Sequence, residues 1–117
     1  MKAQVIKKFG DPSVFEIAEV PKPEAIHGHV VIEVKATSVN PIDTKVRSGG
    51  VPAVAPEFPA VLHGDVAGVV VEVGEGVTEF KVGDEVFGCA GGFKGTGGAL
   101  AEYMLADKQL LAPKPKI

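Results

Sequence analysis

The string HGDVAGVVVEVGEGV, His63 to Val77, holds the residue types best suited to chemistry in this chain. A histidine and a carboxylate, His63 and Asp65, stand where a metal would find two ligands, and Gly74-Glu75-Gly76 has the outline of a nucleotide-binding turn. A dinucleotide fingerprint needs a strand, then G-x-G-x-x-G, then a helix whose N-terminus receives the pyrophosphate. Gly74 and Gly76 match, but Glu79 takes the third glycine position, and FKVGDEVFG around and beyond it is strand-like. A carboxylate repels phosphate and a strand supplies no helix dipole, so this stretch is not a nucleotide site. The glycine-rich CAGGFKGTGG lacks the Gly-Lys-Ser/Thr ending of a phosphate loop. The single cysteine, Cys89, excludes a disulfide framework and a multi-cysteine zinc site. With no histidine near it in sequence, it is expected to be a buried structural thiol.

These residues need a frame. The 117 residues are enough for one domain and too few for two. With 45% hydrophobic and 23% charged residues there is material for a core, while 15 glycines, 9 prolines and 6% aromatics favour short strands and turns over long helices. The net charge of -3 is mixed along the chain, with no basic cluster to suggest nucleic acid. No apolar run approaches the ~18–20 residues that cross a bilayer. MKAQVIKKFG has neither an apolar signal core nor a cleavage site, so a cytoplasmic protein is expected.

AQVIKKF and VFEIAEV read as two strands around the turn signal Gly10-Asp11-Pro12, and PKPEAIHGH as a polar loop with surface histidines at 27 and 29. HVVIEVKATSV alternates, with Val30, Ile32, Val34 and Ala36 on one face and Glu33, Lys35 and Thr37 on the other. NPIDTKVRSGG predicts a short helix: Asn40 is a good N-cap, Pro41 suits the first position, Asp43 suits the dipole, and Gly49 or Gly50 ends it. The three prolines of VPAVAPEFPAVL predict an irregular surface loop. DVAGVVVEV is the most β-prone segment, VTEFKVGDEVFG a turn and a strand, and CAGGFKGTGG a flexible loop. ALAEYML and QLLAP read as the last strands, and PKPKI as an extended end. Seven or so strands, one or two short helices and no βαβ rhythm predict a mostly β domain, a small barrel or sandwich.

Three strings carry a family resemblance: GDVAGVVVEVGEGVTEFKVGDEV, ATSVNPIDTKVRSG and GALAEYMLADKQLLAPKP. Together they resemble the N-terminal, GroES-like catalytic domain of medium-chain dehydrogenases/reductases over nearly the whole chain. The resemblance implies a GroES-like, partly open β-barrel spanning residues 1–117. It also implies that a Rossmann cofactor domain, absent here, belongs to the same protein.

In the alcohol-dehydrogenase branch a catalytic zinc is held by a cysteine and by the histidine of a Gly-His-Glu triplet. The resemblance aligns Asn40 with that cysteine and His63-Gly64-Asp65 with that triplet, so the ligand position is Gly64 and His63 is displaced by one. Catalytic zinc takes three protein ligands and an open position, whereas His63 and Asp65 supply at best two. No metal is expected, and His63 is expected to be partly buried and bonded to loop backbone. The cysteine-free pattern is similar to the quinone oxidoreductase (zeta-crystallin-like) branch. There a quinone or α,β-unsaturated carbonyl spreads the developing charge, so positioning and a few hydrogen bonds replace the Lewis acid.

What the resemblance implies for the site follows residue by residue. Asn40 is the first candidate donor to the substrate, with simple helix capping as the equal alternative. Asp43 is either a catalytic group or a helix-start residue, the second being preferred. Asp65 either faces the cleft or satisfies backbone donors at a strand start. Asn40, Pro41, Ile42 and Lys45 are the candidate cofactor contacts, although Lys45 stands where many relatives carry tyrosine and reads equally as a solvated lysine. The expected activity is NAD(P)H-dependent reduction of a quinone or enone, in partnership with the Rossmann domain and with a homodimer as one outcome. The alternatives are a zinc-dependent alcohol dehydrogenase relative, a co-chaperonin-like ring, and a β-barrel binding module without chemistry.

Overall fold

A computed structural model of the chain describes residues 1–115. The two final positions of PKPKI, 116 and 117, lie outside the described residues. Strands β1 (Lys2–Val5) and β2 (Glu16–Glu19) form an antiparallel ribbon. A second antiparallel sheet is built from β3 (His29–Thr37), β4 (Asp65–Val73), β5 (Glu85–Cys89), β6 (Tyr103–Asp107) and β7 (Leu111–Pro113), in the order β6-β3-β4-β5-β7. Helix α1 (Pro41–Ser48) leaves the end of β3, and three single-turn 3-10 helices punctuate the loops. The fold is the expected mostly β, GroES-like one: the sheet curls around a core, and its edge strands β6 and β7 do not pair with each other among the described residues.

Two clusters form the interior. Val30, Ile32, Val66, Val70, Val86 and Met104 pack under the large sheet. The alternation predicted for β3 is incomplete, since Val31 is fully buried as well while Ala36 is exposed; register shifts at Val31/Ile32 and Val34/Ala36 break the two-residue period. The second cluster joins Ile6, Val46, Ala60 and Leu62. Each such aliphatic side chain stabilises the fold by roughly 1.5–3 kcal/mol on burial. Val46 ties α1 down while Leu62 ties down the segment entering β4, so this small core fixes the helix start against the strand start.

The proline-rich stretch therefore differs from its expectation. Pro52–Val54 is a 3-10 turn, the Phe58–Pro59 peptide is cis, and Ala60 and Leu62 are buried rather than on the surface. Prolines bar regular elements, but they leave irregular backbone free to bring apolar side chains inward. The glycine-rich loop is also pinned: Gly98 and Ala99 donate backbone hydrogen bonds to Val61 and His63, and Ala90 to Gly64, at 2.8–2.9 Å.

Candidate functional site

Helix α1 starts as its local chemistry dictates. Asn40 is the extended N-cap, Pro41 the first helical residue, and the Asp43 carboxylate accepts from the Asn40 backbone N–H at 2.8 Å. Gly49 closes the helix in a left-handed conformation, φ 87°. Asp43 is buried, as its role in holding Asn40 requires. The Asn40 side chain reaches outside the helix: its Nδ2 donates to Asp65 Oδ2 at 2.8 Å. The two readings of Asn40 thus combine, because cap position and site contact use different atoms.

Asp65 opens β4 and collects donors. Ser38 Oγ donates to Oδ2 at 2.9 Å, and Thr37 Oγ1 donates to the Asp65 carbonyl at 2.7 Å. The Asn40 amide first and the Ser38 hydroxyl second hold the Asp65 carboxyl below the usual carboxylate range. An ionised carboxylate only accepts, which fixes the Asn40 amide with its NH2 toward Asp65 and leaves a second amide N–H that Asp65 Oδ2 does not use. Across the sheet, Asp65 pairs directly with Cys89 of β5. A cavity of about 470 Å³ is lined by Thr37, Ser38, Asp65, Ala67, Phe87 and Cys89.

Cys89 is exposed, contrary to the buried thiol expected from its sequence neighbours. Partial desolvation and then the Asp65 carboxylate push its thiol above the ordinary range, so it is a poor thiolate at neutral pH. The reason for its place is register: β4 and β5 run antiparallel with Asp65 opposite Cys89, a pairing invisible when 24 residues separate them in sequence. Ser38 and Thr37 were missed for the same reason.

His63 lies before β4, in left-handed backbone with φ 76°, a conformation that costs an L-residue about 1–2 kcal/mol. Its ring is buried, but Nδ1 has no hydrogen-bond partner, so the expected ring-to-backbone bond is not made by that nitrogen. Gly64 has no room for a side chain: a Cβ there would come within 2.8 Å of Cys89 Sγ and 3.0 Å of the Gly91 carbonyl. The zinc of the alcohol-dehydrogenase branch does not fit this arrangement. Position 64 carries no ligand, Asp65 is engaged by Asn40 and Ser38, and among the described residues no three His, Cys, Asp or Glu side chains are placed to hold an ion.

Pro41, Ile42 and Lys45 lie on the exposed side of α1, with Pro41 and Lys45 one turn apart. None of the three is hydrogen-bonded through its side chain to Asn40 or Asp65. His29 Nδ1 lies 2.8 Å from the His27 carbonyl, far from the site in the opposite loop region.

Acid should weaken this domain in a way traceable to His63. Burial holds its imidazole below the ordinary 6.5, with the charge of Asp43 opposing in smaller measure. The folded chain therefore resists a proton that the unfolded chain accepts, and stability falls as the pH drops below about 6.5. Asp65 adds a second loss in stronger acid, because its ionised form is the one the fold favours. Denaturant titrations at pH 7 and pH 5 should show this loss, and His63→Asn should flatten it, since asparagine does not titrate and tolerates left-handed backbone. An unchanged pH slope in that variant would place the acid sensitivity elsewhere.

With the geometry in hand, likeness to known proteins becomes informative. The description of the alcohol dehydrogenase GroES-like domain matches residues 26–116. The chain is 40% identical over 121 residues to the NADPH-dependent alkenal/one oxidoreductase, chloroplastic, of Arabidopsis thaliana, covering 99% of this chain and 31% of that protein. It superposes with a TM-score of 0.90 and 39% identity on an alcohol dehydrogenase superfamily protein from Novosphingobium aromaticivorans, covering 98% of this chain and 34% of the other. Escherichia coli quinone oxidoreductase, whose structure is complexed with NADPH, gives a TM-score of 0.88 at 30% identity, covering 98% and 33%. The chain thus spans about a third of the length of these relatives. Among its described residues no helix is long and apolar enough to cross a membrane, and the Arabidopsis relative is chloroplastic, which does not support the cytoplasm expected from sequence. The chain belongs to the alcohol dehydrogenase GroES-like domain family, and the relatives it resembles include quinone and alkenal/one oxidoreductases.

Proposed function

We propose that this chain is the substrate-side domain of an NAD(P)H-dependent oxidoreductase that passes hydride to a quinone or α,β-unsaturated carbonyl without a metal. The observation that carries the reading is the Asn40 amide, anchored by Asp65 beside an apolar cavity, with no ligand side chain at position 64. The relatives' names support it, since they pair NADPH with alkenals and quinones. The cofactor, when bound, supplies the hydride. Asp43 and Asp65 hold Asn40 by its backbone and side chain, and its second amide N–H orients a carbonyl at the site. Pro41, Ile42 and Lys45 present an apolar and cationic helix face suited to the cofactor's edge, and a Rossmann domain of the same protein supplies most of its binding. Charge that develops on the acceptor spreads into an enolate or phenolate, so one or two neutral donors suffice where a localised alkoxide would need a Lewis acid. Cytoplasm and a homodimer remain parts of the proposal.

The test begins with the gene beyond codon 117. The whole protein should oxidise NADPH in the presence of a 2-alkenal or a quinone, and dialysis against EDTA should leave the rate within about twofold, because no protein-held Lewis acid takes part. Loss of activity on chelation, restored by zinc, would overturn the metal-free reading. Reduction of simple ketones in preference to enones would overturn the substrate class.

A further inference from the structure

His63 is a buried polar residue for which the reaction described above has no task. It is only 7% exposed, and its Nδ1 makes no hydrogen bond within the protein. A buried ring nitrogen without a partner forfeits the hydrogen bond that water gave it in the unfolded chain. Positive φ at the same residue adds backbone strain. The residue is also clamped in place. Its carbonyl accepts from the Ala99 N–H at 2.8 Å, and a Cβ at Gly92 would stand 2.9 Å from His63 N and C. Strain and an unpaired polar atom persist together only where the surrounding structure enforces them, and such residues cluster at functional sites.

The neighbour that matters is Asp43, the other buried polar residue among those described. Asp43 and Val46 are the buried residues of α1, three positions apart and so on one face of the helix. Val46 packs in one cluster with Leu62, the residue before His63, so that this helix face meets the segment carrying the imidazole. The charge of Asp43 acts on the His63 ring directly. The Asp43 carboxylate has about four lone-pair sites, of which the Asn40 backbone N–H takes one at 2.8 Å. We propose that one buried water bridges His63 Nδ1 and the Asp43 carboxylate, which makes His63 a positioning residue: it holds Asp43 where Asp43 holds the backbone of Asn40. A water has two N–H-like donors in its O–H bonds, so it donates to the carboxylate and to an unprotonated Nδ1 at once. Buried waters occupy polar sites of this kind, where they meet about two to four otherwise unpaired groups. The line from His63 through the water and Asp43 ends at the amide placed for the acceptor. The inference rests on the proposed function only for the part that Asn40 plays in the reaction.

Two measurements on the whole protein test it. A crystal structure that resolves ordered water should show one within about 3.2 Å of both His63 Nδ1 and an Asp43 oxygen. Any other partner at Nδ1, or none, overturns the bridge. The second measurement follows Asn40 by NMR in two variants. His63→Phe keeps a ring and removes the nitrogen, whereas His63→Asn keeps a polar atom near the place of Nδ1 and suits left-handed backbone. Solvent exchange of the Asn40 backbone N–H should quicken at least about tenfold in His63→Phe and stay within about threefold of the parent in His63→Asn. The Gly49 N–H, at the other end of α1, serves as the reference and should not change. Equal exchange at Asn40 in all three proteins overturns the positioning role, and so does a rise shared by Asn40 and Gly49, which would mean that the whole helix opens. In turnover, His63→Phe should lose about tenfold in kcat with KM little changed, and His63→Asn should recover most of it. Should His63→Phe fail to fold, the crystal structure of the parent still decides whether the bridge exists. Neither the water nor the exchange rate depends on turnover. An active protein without the bridge fails the inference alone, and a bridged protein inactive toward enones and quinones fails the proposed activity alone.

Discussion

Asp65→Ala in the whole protein should lower kcat/KM for enone or quinone reduction by about a hundredfold, the scale of loss when a reacting group is misplaced by an ångström. Asp65 Oδ2 is the acceptor that fixes the Asn40 amide, and Ser38 shares it. Without it the amide rotates, and its second N–H no longer faces the site in one orientation. Asp65→Asn is the informative partner variant: it keeps the shape and an acceptor oxygen, so it should recover much of the rate, with the loss concentrated in kcat rather than KM. Tm should fall modestly in both, since each loses the ionised carboxylate that the Asn40 and Ser38 hydrogen bonds favour, but the partly exposed position keeps that loss small beside the loss of rate. If Asp65→Ala stays within about threefold of the parent, Asn40 needs no anchor and the site is organised otherwise.

The second large effect lies in the strand that carries Asp65. Gly68→Ala should cost about 3 kcal/mol or more, at the upper end of overpacking penalties. A Cβ at 68 would sit 2.2 Å from the Glu33 carbonyl oxygen and 2.6 Å from Ile32 Cγ2, and the first of these is backbone that cannot turn aside. Either β3 and β4 separate or the bulge between Val34 and Ala36 shifts, and both displace Thr37 and Ser38 from Asp65. For a domain of this size the loss corresponds to a fall in Tm of roughly 10–20 °C. Gly97→Ala serves as the control, because nothing lies within 4 Å of a Cβ there, and it should be neutral or slightly stabilising. Urea melts of the two variants decide the matter, and equal midpoints would mean that the β3–β4 contact is more compliant than its geometry implies.

In this chain the left-handed position 63 holds histidine and the crowded position 64 holds glycine. Within a strand, a displacement by one residue would turn His63 to the opposite face. In the structure β4 begins only at Asp65, so His63, with its positive φ, precedes the strand and is not subject to its alternation. Strand alternation governs only residues inside a strand, and a single left-handed residue ahead of it resets the direction of the chain.

Local chemistry in the sequence determined the parts of this protein that need only near neighbours. Asn40-Pro41 with Asp43 and Gly49 bound helix α1, and the failure of Gly74-Glu75-Gly76 as a phosphate turn was legible because the residues after it read as turn and strand rather than helix. Those features depend on dihedral preferences and on bonds across three or four residues, which spacing alone records. Tertiary structure decided what depends on register and packing. It set Cys89 opposite Asp65, brought Asn40 to a carboxylate 25 positions away, buried Ala60 and Leu62 out of a proline-rich loop, and left Ala67, Val69 and Phe87 facing outward. A one-residue change of register would reverse each sheet pairing without altering any local propensity, so these relations exist only once the strands have met.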